Sequence, residues 1–102
     1  MPRCTHSDMI HVDAVPAAER PGLVCEACVA TGSTWVHLRQ CRTCGNVACC
    51  DDSPNRHARA HAEGEEHPII TSAQPEEGWS YCYADVLTFE IEDGRIIGEV
   101  EG

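Results

Sequence analysis

The segment CRTCGNVACCDDSPNRHARAHAEGEEH, residues 41–67, carries the strongest signal in this sequence. It holds four cysteines and three histidines. Zinc prefers thiolate and imidazole ligands, and Cys41-x2-Cys44 is the spacing with which a tight turn brings two thiolates to one ion. His57 and His61 are four residues apart, which places them on one face of a helix. The segment therefore predicts metal binding.

A second pair, Cys25-x2-Cys28, begins 16 residues upstream of Cys41. One alternative joins the two pairs into a single four-cysteine site and leaves the histidines on the surface. In the other, each pair supplies half of a tetrahedral site, and the remaining ligands come from Cys49, Cys50, His57, His61 and His67. We prefer the second alternative because it accounts for the clustered histidines.

The whole chain has 102 residues, 8 cysteines, 6 histidines and a formal net charge of −10. This length fits one small domain, residues 1–102, with a limited core that metal would support. The first residues lack the apolar segment of a signal peptide, so we expect a cytoplasmic location in which disulfides do not persist. No apolar run approaches the roughly 18 residues of a membrane span, so we expect no membrane association.

The negative charge is confined to one part of the chain. Residues 63–102 carry eleven acidic residues and only Arg95, whereas residues 1–62 are neutral overall. Because no basic stripe is present, the sequence argues against nucleic acid as a partner. All 7 basic residues are Arg, which suggests a GC-rich bacterial genome.

Local patterns predict an α+β fold with a central twisted β-sheet and one or two short helices. Alternation over residues 35–40 predicts a half-buried strand with Val36 and Leu38 on one face. A helix is expected over residues 56–63, ended by Gly64. Further short strands are expected over residues 46–49, 69–71 and 79–83.

The C-terminal region has its own signal. Two runs rich in β-branched residues flank Glu92-Asp93-Gly94, and Asp-Gly at this position is typical of a tight β-turn. The sequence therefore predicts an acidic β-hairpin over residues 86–100.

These motifs together resemble the UBP-type zinc finger, a domain of many deubiquitinating enzymes and of a cytosolic histone deacetylase. The resemblance covers residues 4 to about 85 and includes His67-Pro68 and Trp79-x2-Cys82-Tyr83. It implies two cross-braced zinc sites. Their implied ligands are Cys25, Cys28, Cys49 and His57 for the first ion, and Cys41, Cys44, His61 and His67 for the second.

Family members with three metals take further ligands from a Cys-x-His near the start and a Cys-x2-Cys near the end. Cys4 and His6 match the first pair, and Cys82 matches one ligand of the second. The last position is Asp85, which is also a competent zinc ligand. The resemblance thus implies a third zinc held by Cys4, His6, Cys82 and Asp85, and the alternative is no metal there.

Ubiquitin-binding members capture the free C-terminal Gly-Gly tail of ubiquitin with an Arg and several aromatic residues. That Arg follows the cysteine matching Cys49, where this chain has Cys50-Asp51, and an Asp repels a carboxylate. Candidate groove residues are Trp35, Arg39, Arg56, Tyr81 and Tyr83. The resemblance implies a non-catalytic module that binds a protein or peptide, with a free C-terminus as one form of ligand and with ubiquitin bound weakly or not at all.

Two other functions remain in view. A structural or regulatory adaptor would use the acidic hairpin to dock a basic partner or to pair strands in a dimer. A zinc hydrolase would need an open coordination position, for which Asp85 is the weakest ligand. Because zinc sites closed by four protein ligands are structural, the sequence predicts that the protein is not an enzyme.

Overall fold

The computed structural model describes residues 6–75, 77–92 and 94–101. Six antiparallel strands form one sheet in the order β2-β1-β3-β4-β5-β6. The strands are β1 (Leu38–Cys41), β2 (Val47–Cys49), β3 (Ile69–Ser72), β4 (Ser80–Cys82), β5 (Leu87–Glu92) and β6 (Arg95–Glu101). The helices are α1 (Glu26–Thr31) and α2 (His57–Gly64), with short 3-10 helices at Ser7–Met9 and Ala17–Gly22.

The predicted α+β class and the C-terminal hairpin are confirmed. β5 and β6 pair in an antiparallel register that includes Glu92 opposite Arg95, while Asp93 of the predicted turn lies outside the described residues. The hairpin is part of the sheet, since Leu87 of β5 lies opposite Cys82 of β4. Of its residues, Leu87 and Phe89 are buried in the core.

One local expectation differs from the structure, and one pair of candidate ligands lies in an element that the sequence did not predict. Leu38 is buried as predicted, but Val36 is 53% exposed because β1 begins only at Leu38. In addition, helix α1 begins directly after Cys25 and contains Cys28. Helix α1 ends at Gly32, whose φ of 73° is the left-handed conformation that glycine adopts most easily.

The N-terminal arm packs on one face of the sheet. The Gln40 side chain accepts a hydrogen bond from Val15 N and donates one to Asp13 O. The buried Arg42 side chain donates from Nε to Val12 O and from Nη1 to Thr71 Oγ1. The arm therefore covers one face of the sheet. Helix α2 and a groove beside it lie on the opposite face, which carries Tyr81.

Among the described residues, buried apolar side chains form two core clusters. The first is formed by Cys25, Cys28, Leu38, Ala48, Cys49, Ala58 and Ala73. The second is formed by Ile69, Cys82, Leu87 and Phe89. Three of the seven residues in the first cluster are cysteines and three are alanines, so apolar side chains fill it only sparsely. Within the described part of the chain, no helix is long and apolar enough to cross a membrane.

Candidate metal centres and binding groove

The first group of candidate ligands joins four parts of the fold. Cys25 precedes α1, Cys28 lies in it, Cys49 ends β2 and His57 begins α2. The Nδ1 atom of His57 lies 3.4, 3.3 and 3.5 Å from the Sγ atoms of Cys25, Cys28 and Cys49. The Sγ atoms of Cys28 and Cys49 are 3.7 Å apart. We call these four residues the first tetrad.

These distances fit a tetrahedral zinc ion. With Zn–S bonds of about 2.3 Å and Zn–N bonds of about 2.0–2.1 Å, the tetrahedron has edges of about 3.8 Å between sulfurs and about 3.6 Å between sulfur and nitrogen. All three cysteines are fully buried. The donor set of three thiols and one imidazole also matches a structural zinc site.

The second tetrad combines the other pair of cysteines with two later histidines. The Sγ atom of Cys41 lies 3.6 Å from His67 Nδ1, and that of Cys44 lies 3.3 Å from His61 Nε2. The two histidine nitrogens are 3.3 Å apart, against about 3.4 Å for two nitrogen ligands of a tetrahedral zinc. The tetrads alternate along the chain, so the arrangement is cross-braced.

Burial favours the neutral thiols when no cation is bound. It raises the pKa of Cys28 to about 11 and also raises the pKa of Cys41. Neighbouring cysteines act in the same direction because two thiolates repel each other. A metal ion would have to displace these protons, and its charge would remove the repulsion.

A third group joins His6 of the N-terminal arm to Cys82, at the end of β4, and to Asp85 just after it. His6 Nδ1 is 2.9 Å from Asp85 Oδ2, and Cys82 Sγ lies 3.7 and 3.6 Å from these two atoms. Like each tetrad, the group has all its candidate ligand atoms within 4.8 Å of one another. Cys4, the fourth ligand implied by the resemblance, lies outside the described residues.

A groove of about 420 Å³ opens on the face of the sheet next to α2. Three aromatic side chains from the region of β4 line it, Trp79, Tyr81 and Tyr83. They share a face because alternate residues of a strand point the same way. The Tyr81 and Tyr83 rings meet edge to face with centroids 5.3 Å apart.

Two arginines enter the groove over aromatic rings. The Arg39 Cζ atom lies 4.5 Å from the centre of the Trp79 ring, and the Arg59 Cζ atom lies 4.8 Å from that of Tyr83. Each contact favours this position of the guanidinium through cation–π attraction. Burial raises the pKa of Tyr83 to about 12, so its hydroxyl stays neutral over the physiological range.

Asp51 is paired within the groove. Arg59 donates from Nε to both carboxylate oxygens, at 3.1 and 3.0 Å, and from Nη2 to Oδ2. Both side chains are partly exposed, 39% for Arg59 and 41% for Asp51. The negative charge expected at this position is therefore present, but the carboxylate of Asp51 is paired with the guanidinium of Arg59 from α2.

The structure brings together only some of the predicted groove residues. Arg39, Tyr81 and Tyr83 line the groove, whereas Trp35 packs against the first core cluster. Arg56 is exposed at the start of α2 in a left-handed conformation, with φ of 46° and ψ of 48°. Neither Trp35 nor Arg56 is among the residues that line this groove.

Sequence reasoning left Arg59 and Trp79 out of the site. For Trp79 a signal was available, since it alternates with Tyr81 and Tyr83 along the chain. No comparable signal exists for Arg59, because its direction depends on how α2 packs on the sheet. Cys50 also faces the groove, but it is only 3% exposed and lies 3.5 Å from Ser53 Oγ.

Comparisons with known proteins agree with this geometry. The family model described as "Zn-finger in ubiquitin-hydrolases and other protein" matches residues 25–91, which include both tetrads, Cys82, Asp85 and most of β5. The chain is also similar to a protein from Rhodopseudomonas palustris solved by solution NMR, with 45% identity, a TM-score of 0.70 and coverage of 94% of this chain and 88% of that one. No curated protein matches the sequence. The chain belongs to the zinc-finger family of ubiquitin hydrolases and other proteins, the UBP type, and is a zinc-binding domain.

Proposed function

We propose that both tetrads hold structural zinc and that His6, Cys82 and Asp85 hold a third ion together with Cys4. The supporting observation is that the ligand atoms of each tetrad are spaced like the corners of a tetrahedron. Four protein ligands leave no position for a reacting water, so each zinc would be structural. Because the unfolded chain has no preformed site, binding of zinc would supply folding free energy. The domain is then a binding module and not an enzyme.

The groove is the proposed binding surface, and its ligand is the free C-terminal carboxylate of a protein or peptide. One observation carries this proposal: two guanidinium groups, Arg39 and Arg59, are held over aromatic rings within one groove. Arginine binds a carboxylate with two parallel hydrogen bonds, and such charge-assisted pairs are stronger than neutral ones.

Arg39 has the capacity for this role. Among the described residues its guanidinium makes one hydrogen bond, from Nη1 to Leu38 O at 2.9 Å, and Nη1 lies 3.9 Å from Glu77 Oε1. A guanidinium has five N–H donors. Further donors therefore remain for a ligand.

The walls of the groove set the class of peptide. Trp79, Tyr81 and Tyr83 present flat apolar faces, which favour a narrow, extended chain with small residues next to the carboxylate. Ubiquitin ends in such a tail, but Asp51, Asp52 and Glu77 add negative charge around the groove. We therefore expect ubiquitin to bind weakly or not at all.

A fluorescence titration tests the proposal, with W35F used so that Trp79 is the only indole. Two synthetic peptides ending in Gly-Gly serve as probes, one with a free carboxylate and the other amidated. The expected result is binding of the acid and at least tenfold weaker binding of the amide. Equal affinity for both peptides would contradict carboxylate capture.

Charge-matched variants locate the site. R39Q should weaken binding of the acid peptide, since it removes a cation from the groove. R56Q removes the same charge from an exposed residue outside the groove and should leave the affinity within twofold. Ubiquitin, with and without its last two glycines, is titrated in parallel, and micromolar binding that needs those glycines would contradict the expected weak binding.

A second candidate is an adaptor that works through the C-terminal hairpin. It is favoured by the position of β6, which is paired only with β5 and so ends the sheet within the described chain. With the acidic character of residues 63–102, this edge suits a basic extended segment. Binding of a poly-arginine peptide that weakens in E90Q but not in E19Q would support the adaptor, and equal loss in both would oppose it.

A further inference from the structure

We infer that Arg59 is the docking cation for the ligand carboxylate and that Asp51 is a competitor built into the chain, which the ligand must displace. This inference rests on the proposed function, because it assumes that a carboxylate enters the groove. It adds two roles to that function: Asp51 determines specificity, and Arg59 is the position at which the carboxylate docks.

The Arg59–Asp51 pair itself shows that the guanidinium of Arg59 can bind a carboxylate. Nε and Nη2 both face the Asp51 carboxylate and make three contacts with its two oxygens. A C-terminal carboxylate has the same planar pair of oxygens, so it can make the same contacts. Asp51 thus occupies the position that a ligand would take.

The two members of the pair differ in how firmly they are held. Arg59 extends from helix α2 and lies over the Tyr83 ring. Asp51 lies in the turn after β2, and its side chain is 41% exposed. The hydrogen bonds of the Asp51 side chain within the described chain all go to Arg59. Displacement therefore moves an exposed side chain into water and leaves the arginine in place.

The competition is weak enough to be overcome. An exposed ion pair shifts an equilibrium by no more than about fivefold, because water solvates both partners when they separate. A ligand that also contacts Arg39 and the aromatic walls can displace Asp51 from Arg59. A small carboxylate without those contacts gains little net binding free energy from the exchange. Asp51 would therefore select ligands that fill the rest of the groove.

The test uses the zinc-loaded full chain and the Gly-Gly acid and amide peptides described above. D51N should tighten binding of the acid peptide about fivefold and leave binding of the amide unchanged. D52N is the matched control: Asp52 also lines the groove, but none of the hydrogen bonds of Arg59 goes to it. Zinc content and the far-ultraviolet spectrum establish that each variant is folded.

A double-mutant cycle separates release of Arg59 from a general change of charge. In the R59Q background, D51N and D52N should change the affinity for the acid peptide by the same factor. In the otherwise unmodified protein, D51N should exceed D52N by at least threefold. Equal effects of D51N and D52N there, or weaker binding in D51N, would overturn the inference.

The outcomes also distinguish this inference from the proposed function. If the unmodified protein prefers the acid and D51N changes nothing, Asp51 is not a competitor but carboxylate capture stands. If the unmodified protein shows no preference and D51N prefers the acid, Asp51 blocks the groove and no ligand displaces it, so both proposals fail for the natural sequence. If no variant prefers the acid, both proposals fail.

Discussion

Substitution of His57 by alanine should unfold the domain. His57 is the one first-tetrad ligand that lies in α2, and its Nδ1 atom is within 3.5 Å of all three sulfurs of the tetrad. Without it three buried cysteines share an incomplete site. H37A is the matched control, because His37 is exposed and belongs to none of the ligand groups found among the described residues.

The magnitude follows from the contents of the first core cluster. Its largest aliphatic side chain is Leu38, whose burial contributes about 1.5–3 kcal/mol, and its three alanines contribute roughly 0.8 kcal/mol each. A structural zinc contributes roughly 10–16 kcal/mol at neutral pH. Loss of most of this contribution is as large as the net stability of a typical small domain, about 5–15 kcal/mol.

Far-ultraviolet circular dichroism and thermal unfolding measure the effect. H57A should show no cooperative transition at 25 °C or above, whereas H37A should keep the free energy of unfolding within about 0.5 kcal/mol of the unmodified protein. Excess EDTA should reproduce the H57A result. A cooperative transition in H57A, with stability reduced by less than about 2 kcal/mol, would refute the view that the first tetrad supports the fold.

Three further predictions concern other parts of the molecule. Replacement of the buried Arg42 by Met should lower the free energy of unfolding by about 1–3 kcal/mol in urea titrations, since it leaves Val12 O without its side-chain donor and removes one of the two hydrogen bonds of Thr71 Oγ1, which keeps its bond to Ser80 Oγ; an unchanged midpoint would contradict this. Between pH about 10 and about 12 the unfolded Tyr83 loses its proton while the buried one keeps it, so stability should fall as pH rises, and Y83F should lessen that fall; parallel pH profiles for the two proteins would argue against it. Elemental analysis should find three zinc ions per chain in the unmodified protein and two in D85A, and two in both would exclude the third site.

The sequence was sufficient to predict those helices and strands whose signals come from neighbouring residues. The helix over residues 56–63 is observed as α2, His57–Gly64, although no side chain caps its start and Gly64 is its last residue, with Glu65 as the C-cap. The hairpin likewise follows from two β-branched runs around Asp93-Gly94. For the ligand groups, the assignment of cysteines and histidines to particular sites came from the resemblance, since spacing alone left a single four-cysteine site open.

The parts that could not be predicted depend on packing between distant segments. Val36 alternates correctly with Leu38, yet the strand begins after it and leaves it exposed. Asp51 was expected to repel a carboxylate, but α2 brings Arg59 to it from eight residues away. Neither outcome is encoded in local periodicity, because the first depends on where β1 begins and the second on how α2 packs on the sheet.

The central claim is that a groove braced by zinc captures a carboxylate, and the arginine side chains report on it directly. The chain has 7 basic residues, all of them Arg, so its arginine Nε–H groups give a small set of assignable NMR signals. We predict that the Gly-Gly acid peptide shifts the Arg39 and Arg59 signals while the amide leaves them unchanged. Shifts of equal size with both peptides, or shifts at Arg56 and Arg95 instead, would contradict the account.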